Sequence, residues 1–295
     1  MNYLYNEITI VIVLYEENIK LVLRCLEKIK NFKIIIVDNA NNVPLKRKIE
    51  KNCKIYKYIL NEKNYGYSKA ANQAIKLSDT EFILMFQADG IIEQKDIFKL
   101  LDAHKKYKNS FIVSPTLFDK DQNLSANSGN FPEKYSYKTP IVLDGDICSE
   151  TVLGSIIMFK RNDMIEIGLY DENLFLYFLD DELCKRIREK KKAVIQVLSA
   201  KATHVHGQIK VRNPIKRTFL RHFNFTFDEL YYFYKIKKHE KLFNELSKKV
   251  PKYFMKLLLN LIVLRPNKVV YFLSKIMGFY KFKKVVKKKV SKISS

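Results

Sequence analysis

Residues 81–90 read EFILMFQADG, an apolar run that stops abruptly at Gln87-Ala88-Asp89-Gly90. Such a run, without polar alternation, describes a strand buried on both faces. Covering both faces requires helices above and below a sheet, so this segment points to an α/β architecture. It also sets a carboxylate just past the end of the strand. That edge is where open α/β sheets place their ligands.

Strand and helix patterns alternate through the first 200 residues. ITIVIVLY (8–15), KIIIVDN (33–39) and KIYKYIL (54–60) read as strands, and NIKLVLRCLEKI (18–29) as a helix with a stripe of Leu21, Leu23, Cys25, Leu26 and Ile29. YSKAANQAIKL (67–77) is an Ala-rich helix entered after Gly66, KDIFKLLDAHKKY (95–107) a further helix, and SFIVS (110–114) a strand. Residues 119–150 lose periodicity and suit a long functional loop or β-insertion. TVLGSIIMF (151–159) returns as a strand, NLFLYFLDDELCKRIREK (173–190) as a helix with an acidic middle, and AVIQV (193–197) as a strand. The rhythm predicts a mainly parallel twisted sheet flanked by helices. From Asn213 onward only helical patterns remain, which gives two expected parts, 1–212 and 213–295.

Charge separates the same two parts. Of the net +23, residues 210–295 hold 23 Lys/Arg against 4 Asp/Glu, whereas residues 1–209 hold 31 against 27. After Glu245 there is no acidic residue. The basic helical extension must meet something anionic, and membrane lipid and nucleic acid are the candidates. Its apolar content, as in KYFMKLLLNLIVL, favours lipid over a solvated nucleic-acid arm, so no nucleic acid is expected. Short apolar-basic stretches at 253–264 and 269–286, separated by Arg265-Pro266, suit an anionic membrane surface. A helical lid or a dimer contact is the alternative. Cys25, Cys53, Cys148 and Cys184 are scattered without a CxxC and read as reduced thiols. The N-terminus lacks the basic region of a signal peptide, and no stretch is long and apolar enough to span a bilayer. The expected location is cytoplasmic, peripheral on the inner face of the membrane.

Three segments carry candidate chemistry. Asp38 and Asp89 each close a buried strand, although either could simply form a turn. LDDELCKR places Asp180, Asp181 and Glu182 consecutively on a helix, about 100° apart, so they cannot all face one ligand. Glu182 and Arg186 have the i,i+4 spacing of an ion pair. Asp180 follows the apolar wall FLYFL, a setting that suits a general base. His204 and His206 follow a strand. A lone imidazole is more often structural, but beside Asp89 a carboxylate–imidazole set suits Mn²⁺ or Mg²⁺ on a diphosphate.

Taken in order, these segments resemble glycosyltransferase family 2, the inverting GT-A enzymes, and within it the rhamnosyltransferase-like bacterial members. The likeness covers about residues 8–210. Its pieces are Leu14-Tyr15-Glu16, Val37-Asp38-Asn39, Asn64 with Gly66, Tyr67 and Asn72, Gln87-Ala88-Asp89, Gly154 with Arg161, and Gly168-Leu169-Tyr170-Asp171-Glu172. Phe175, Tyr177, Asp180, Glu182, Leu183 and Arg186 follow, and then His204 with Gly207.

The resemblance implies a GT-A fold and sugar transfer from a nucleoside diphosphate sugar, dTDP- or UDP-linked, to a glycan acceptor in surface polysaccharide biosynthesis. It implies Tyr15, Asp38, Gly66, Asn72, Gln87, Asp89 and Gly154 as donor-binding residues, with Asp38 on the base edge and Gly154 letting backbone lie near the sugar. Asp89 and His204 would hold the divalent metal, Mn²⁺ or Mg²⁺, and Asp180 would be the base. Three departures stand out: Gln87 for Asn or Asp, Leu179 for an acid before the base, and Glu16 for a polar neutral residue. Rival readings are a basic nucleic-acid-binding protein and a nucleotidyltransferase. The latter would want a glycine-rich loop after the first strand, which YEENIK lacks.

Overall fold

The computed structural model describes residues 5–125, 127–132, 144–204 and 213–293. His206 and Gly207, and residues 133–143 of the expected loop, lie outside them. The chain divides into two compact units, Met1–Glu172 with Leu179–Lys210, and Asn173–Phe178 with Val211–Ser295.

The first unit is built on β1 (Ile8–Leu14), β2 (Lys33–Asp38), β3 (Lys57–Leu60) and β4 (Phe82–Phe86). These run β3-β2-β1-β4 across the sheet, all parallel. Their apolar side chains explain the arrangement. Ile8, Ile10, Ile12, Ile34, Ile36 and Leu84 are all fully buried, and each such side chain contributes about 1.5–3 kcal/mol relative to exposure. The sheet then changes character. β5 (Gly90–Ile92), β6 (Ser110–Phe118), β10 (Ile156–Lys160) and β11 (Ala193–His204) continue it in the order β4-β10-β6-β11-β5. β10 is antiparallel to both neighbours, β6 and β11 are parallel, and β5 is antiparallel to β11. The sheet is therefore mixed beyond its parallel half. β7 (Ser128–Gly129) and β9 (Thr151–Val152) form a separate pair, and β8 (Ile147–Ser149) adds to β11.

Helices α1 (Ile19–Ile29), α2 (Val43–Asn52), α3 (Tyr67–Leu77) and α4 (Gln94–Lys106) connect the early strands, and α5 (Arg161–Glu166) and α6 (Leu179–Glu189) follow β10. α1 starts where the Asn18 side chain accepts the Lys20 N–H at 3.0 Å. Its buried stripe is Val22, Cys25, Leu26 and Ile29, a clean i, i+3, i+4, i+7 set, with Leu21 and Leu23 half-buried at its flanks.

Three segments differ from the sequence expectation. Residues 151–159 are two strands rather than one, because the chain breaks at Leu153–Ser155 around Gly154. α6 begins at Leu179, so its acids form the first turn, where the helix dipole favours them. The last strand does not stop at Val197. It bulges between Val197 and Lys201 and continues to His204. Pro115 sits opposite Val197 and has no N–H to give the ladder, which accounts for the irregularity there.

The second unit contains α7 (Pro214–Lys235), α8 (His239–Ile262) and α9 (Pro266–Ile293). Asn213 caps α7 by accepting the Lys216 N–H at 3.0 Å, and the chain turns between α8 and α9 at Val263–Arg265, just before Pro266. The fully buried Asp228 carboxylate accepts the backbone N–H groups of Phe175, Leu176 and Tyr177 at 2.9–3.0 Å. Phe178, at φ +58°, stacks on Tyr232 with ring centroids 5.2 Å apart. Gly278 lies where a Cβ would come within 2.6 Å of the Phe223 carbonyl, so α7 and α9 pack at a distance only glycine permits.

Candidate active site

The sheet brings the sequence-predicted residues to one edge. β1, β2 and β4 end together, since Leu14 pairs with Asp38 and β4 runs parallel to β1. Ile156 pairs with Phe86, so the start of the antiparallel β10, with Gly154 just ahead of it, reaches that same edge. His204 pairs with Gly90, which sets it beside Asp89.

Asp89 and His204 are 115 positions apart in sequence, yet Asp89 Oδ1 lies 3.1 Å from His204 Nε2. The imidazole is buried and the carboxylate keeps about a quarter of its surface, 23%, open to solvent. The tight turn between them and β4 is held by the Gly90 N–H on the Gln87 carbonyl and the Gln87 N–H on the Ser155 carbonyl, both at 2.9 Å. Gln87 is half-buried. Among the described residues no group of three His, Cys, Asp or Glu side chains is placed to hold a metal. A carboxylate oxygen beside an imidazole nitrogen still fits Mn²⁺ or Mg²⁺, because such ions keep several positions for water and substrate phosphate.

Asp38 is fully buried, and its carboxylate accepts the Ala40 N–H (2.7 Å), the Asn42 N–H (3.3 Å) and the Tyr58 hydroxyl (3.1 Å). It thus forms the turn after β2. A carboxylate has about four acceptor positions, so one is left over for another donor. Gly66, at φ +89°, opens α3. That left-handed conformation favours glycine. Asn39 donates to the Gly66 carbonyl at 3.0 Å, tying this turn to the end of β2.

Asn72 faces inward. Its amide donates to the Tyr170 carbonyl (2.9 Å) and Glu172 Oε1 (3.1 Å), while its oxygen accepts the Tyr170 N–H (3.0 Å). These bonds account for its burial by locking the 170–172 turn. Arg186 holds the same turn through the carbonyls of Ile167 (2.6 Å) and Leu169 (2.7 Å).

The three consecutive acids of α6 point three ways. Asp180 Oδ2 accepts the Gly154 N–H at 2.9 Å, Asp181 Oδ1 accepts the Thr151 hydroxyl at 2.7 Å, and Glu182 pairs with Arg186 at 2.8 Å. A Cβ on Gly154 would lie 2.1 Å from Asp180 Oδ1, so the carboxylate occupies the space a side chain would take. Tyr67 and Tyr170, with ring centroids 6.2 Å apart, stand near it. Burial first, and then the Asp180 charge, push the Tyr67 hydroxyl up. Burial likewise raises Tyr170, with the Tyr67 and Asp180 charges adding to it. The polar chemistry around Asp180 is therefore confined to a largely desolvated corner.

Glu17 was missed by the sequence reading, which singled out its neighbour Glu16. Glu16 adopts φ +61°, an unusual conformation for its type. Glu17, partly buried, turns back to accept the Tyr15 N–H. Desolvation pushes its carboxyl up to about 8 against the pull of that hydrogen bond, and the charges of Asp38 and Asp89 add to the rise. Three carboxyls thus share the strand-end region. An acidic pair directly after a buried strand was the available signal.

Comparison with known proteins identifies the family and the fold. Residues 9–167 match the model of Glycosyl transferase family 2. The dTDP-rhamnosyl transferase RfbF of Shigella flexneri is 26% identical over 223 residues, 70% of this chain and 75% of that protein. The low-salt glycan biosynthesis hexosyltransferase Agl10 of Haloferax volcanii is 26% identical over 212 residues, 68% of this chain and 67% of that protein. Among solved structures, GalNAc-T7, crystallised with UDP, GalNAc and Mn²⁺, superposes with a TM-score of 0.58 at 14% identity. That match covers 74% of this chain but only 49% of GalNAc-T7 and shows a shared GT-A-like fold. With a family model spanning more than half the chain, this chain belongs to glycosyltransferase family 2 and is a glycosyltransferase.

Proposed function

We propose that the protein transfers a hexosyl or deoxyhexosyl group from a dTDP- or UDP-linked donor to an acceptor hydroxyl, with inversion, in surface polysaccharide biosynthesis of the lipopolysaccharide or capsule kind. The observation that carries this reading is the Asp180 carboxylate seated under Gly154 at the same sheet edge as the Asp89–His204 pair. The relative named for dTDP-rhamnose makes that sugar nucleotide the first donor to test.

In this reading Asp180 accepts the proton of the attacking acceptor hydroxyl as its oxygen displaces the nucleoside diphosphate from the anomeric carbon. Gly154 leaves room for that carboxylate and anchors it through its N–H. Asp38 offers its remaining acceptor position to the pyrimidine base, and Tyr15, Gly66 and Gln87 border the donor. Asn72 contributes through the 170–172 turn that it locks. Asp89 and His204 would hold Mn²⁺ or Mg²⁺, which when bound supplies positive charge to the leaving diphosphate. The UDP and Mn²⁺ in the GalNAc-T7 crystals support this assignment.

The acceptor is a glycan carried on lipid, and the enzyme works at the inner face of the cytoplasmic membrane. The acid-free, lysine-rich chain after Glu245 supports that placement. Residues 1–212 form the catalytic domain and 213–295 the membrane-associating region.

The test is a panel of dTDP- and UDP-sugars assayed for Mn²⁺-dependent nucleotide release. Release from one donor class, accelerated by a matched acceptor, is expected. Absence of release from every pyrimidine nucleotide sugar would contradict the proposal.

A further inference from the structure

Among the described residues, the C-terminal unit leaves an apolar surface uncovered. Most of α9 packs inward: Phe279 and Phe282 are buried, and Phe279 stacks on Phe243 with centroids 5.1 Å apart. The second half of α8 does the opposite. Phe254, Met255, Leu258, Leu259, Ile262 and Leu264 are between 45% and 85% exposed, with Ile262 at 78% and Leu264 at 85%. At 100° per residue, the exposed apolar positions of α8 span an arc of about 160°. Leu257 and Tyr253 lie on the other side, where Tyr253 meets Phe272 at 5.8 Å between centroids. The bare surface runs on through the turn into Leu264.

Its border is uniformly basic. Lys252, Lys256, Arg265 and Lys268 are all exposed around the patch, and no acid follows Glu245. Monomeric proteins rarely leave so continuous an apolar surface open without a partner for it. Two copies of this chain meeting here would bring four cations against four cations, with no acid after Glu245 in either sequence to pair them. An anionic bilayer answers both properties at once: acyl chains take the apolar arc and headgroups take the lysines. Among the described residues no helix is long and apolar enough to cross a membrane, so the contact is interfacial.

We infer that the α8–α9 elbow, from Phe254 through Leu264, is the element that inserts into the surface of an anionic membrane. This sharpens the membrane-surface placement proposed above, on which it rests. It assigns the contact to one elbow and to apolar insertion as well as charge, rather than to both basic stretches equally.

The chain contains no tryptophan, so Ile262→Trp introduces a single fluorescent reporter. With vesicles of phosphatidylglycerol and phosphatidylcholine, its emission should shift to the blue and be quenched by brominated acyl chains. Leu258→Asp with Ile262→Asp, both at exposed positions, should reduce vesicle sedimentation at least tenfold while leaving helicity and nucleotide binding unchanged. Sedimentation with vesicles without an emission shift would overturn the insertion and leave an electrostatic membrane contact. Failure to sediment with any anionic vesicle would overturn the membrane placement as well. A blue shift without lipid, with a doubled mass in light scattering, would assign the elbow to a second copy instead. Nucleotide release measured on the same preparation reports on the catalytic reading separately.

Discussion

The two units treat charge in opposite ways. In the sheet unit, acids are numerous and those at the strand-end edge have defined neighbours. Asp180 is on the Gly154 N–H, Asp181 on Thr151, Glu182 on Arg186 and Asp38 on the turn after β2. In the helical unit, acids are sparse and disappear after Glu245, and large apolar side chains stand in water beside lysines. The first pattern costs desolvation at the buried carboxylates, and the surrounding N–H and O–H donors offset it. The second costs apolar exposure that nothing among the described residues of the unit offsets. The two proposals above follow this contrast: the carboxylates are assigned to a small, polar, phosphate-bearing ligand and the apolar elbow to a surface.

The variant with the largest expected effect is Asp180→Asn, which keeps shape and removes proton acceptance. Transfer should fall by roughly 10²–10⁴-fold while nucleotide binding survives. Near-normal transfer would shift the base to Asp181 or Glu182. Gly154→Ala comes next, because its methyl group would lie 2.1 Å from Asp180 Oδ1 and displace the carboxylate. Misplacing a catalytic group by about 1 Å costs on the order of 10²-fold, so kcat should drop with nucleotide affinity retained. An unchanged kcat would show that Asp180 has room to move without consequence.

In the helical unit, Gly278→Ala should lower stability by about 1–3 kcal/mol through overpacking, since its Cβ would lie 2.6 Å from the Phe223 carbonyl. Thermal unfolding checks this, and no loss would mean that α7 and α9 separate easily. The smallest effect concerns pH. Glu17 holds its proton to about pH 8 when folded, against the ordinary 4.5. The folded state therefore binds more protons than the unfolded chain between those values, and Glu17 weakens the fold as pH rises through that window. Glu17→Gln should match wild type near pH 5 and be more stable at pH 9. Allowing for the side chain's partial contact with water, the gain is on the order of 1–2 kcal/mol. A variant less stable than wild type at pH 9 would mean that the ionised carboxylate is favoured there.

Much of this was legible from residues alone. Uninterrupted apolar runs marked β1, β2 and β4, because strands buried on both faces have no polar face to hide them. The i,i+4 spacing marked the Glu182–Arg186 pair. The break at Gly154 was not legible, because TVLGSIIMF is apolar on both sides of it and only the carboxylate filling the glycine's empty side-chain space shows why the strand splits. The extension of β11 to His204 was hidden by LSAKA, which interrupts the apolar pattern at a bulge. The start of α6 was misplaced because LFLYF has helical spacing, yet Asp228 holds 175–177 through backbone N–H groups that a helix would have used. Glu17 escaped because its altered proton affinity comes from desolvation and from Asp38 and Asp89, which lie far away in sequence.

A nucleoside diphosphate held at the sheet edge through Asp89 and His204 is the central proposal. The direct measurement is calorimetric titration of dTDP and UDP into the full-length protein and its Asp89→Ala variant, with and without Mn²⁺. Mn²⁺ should tighten nucleotide binding by wild type, and the variant should lose roughly tenfold or more of that gain. Equal Mn²⁺-dependent affinity in the two proteins would contradict the account.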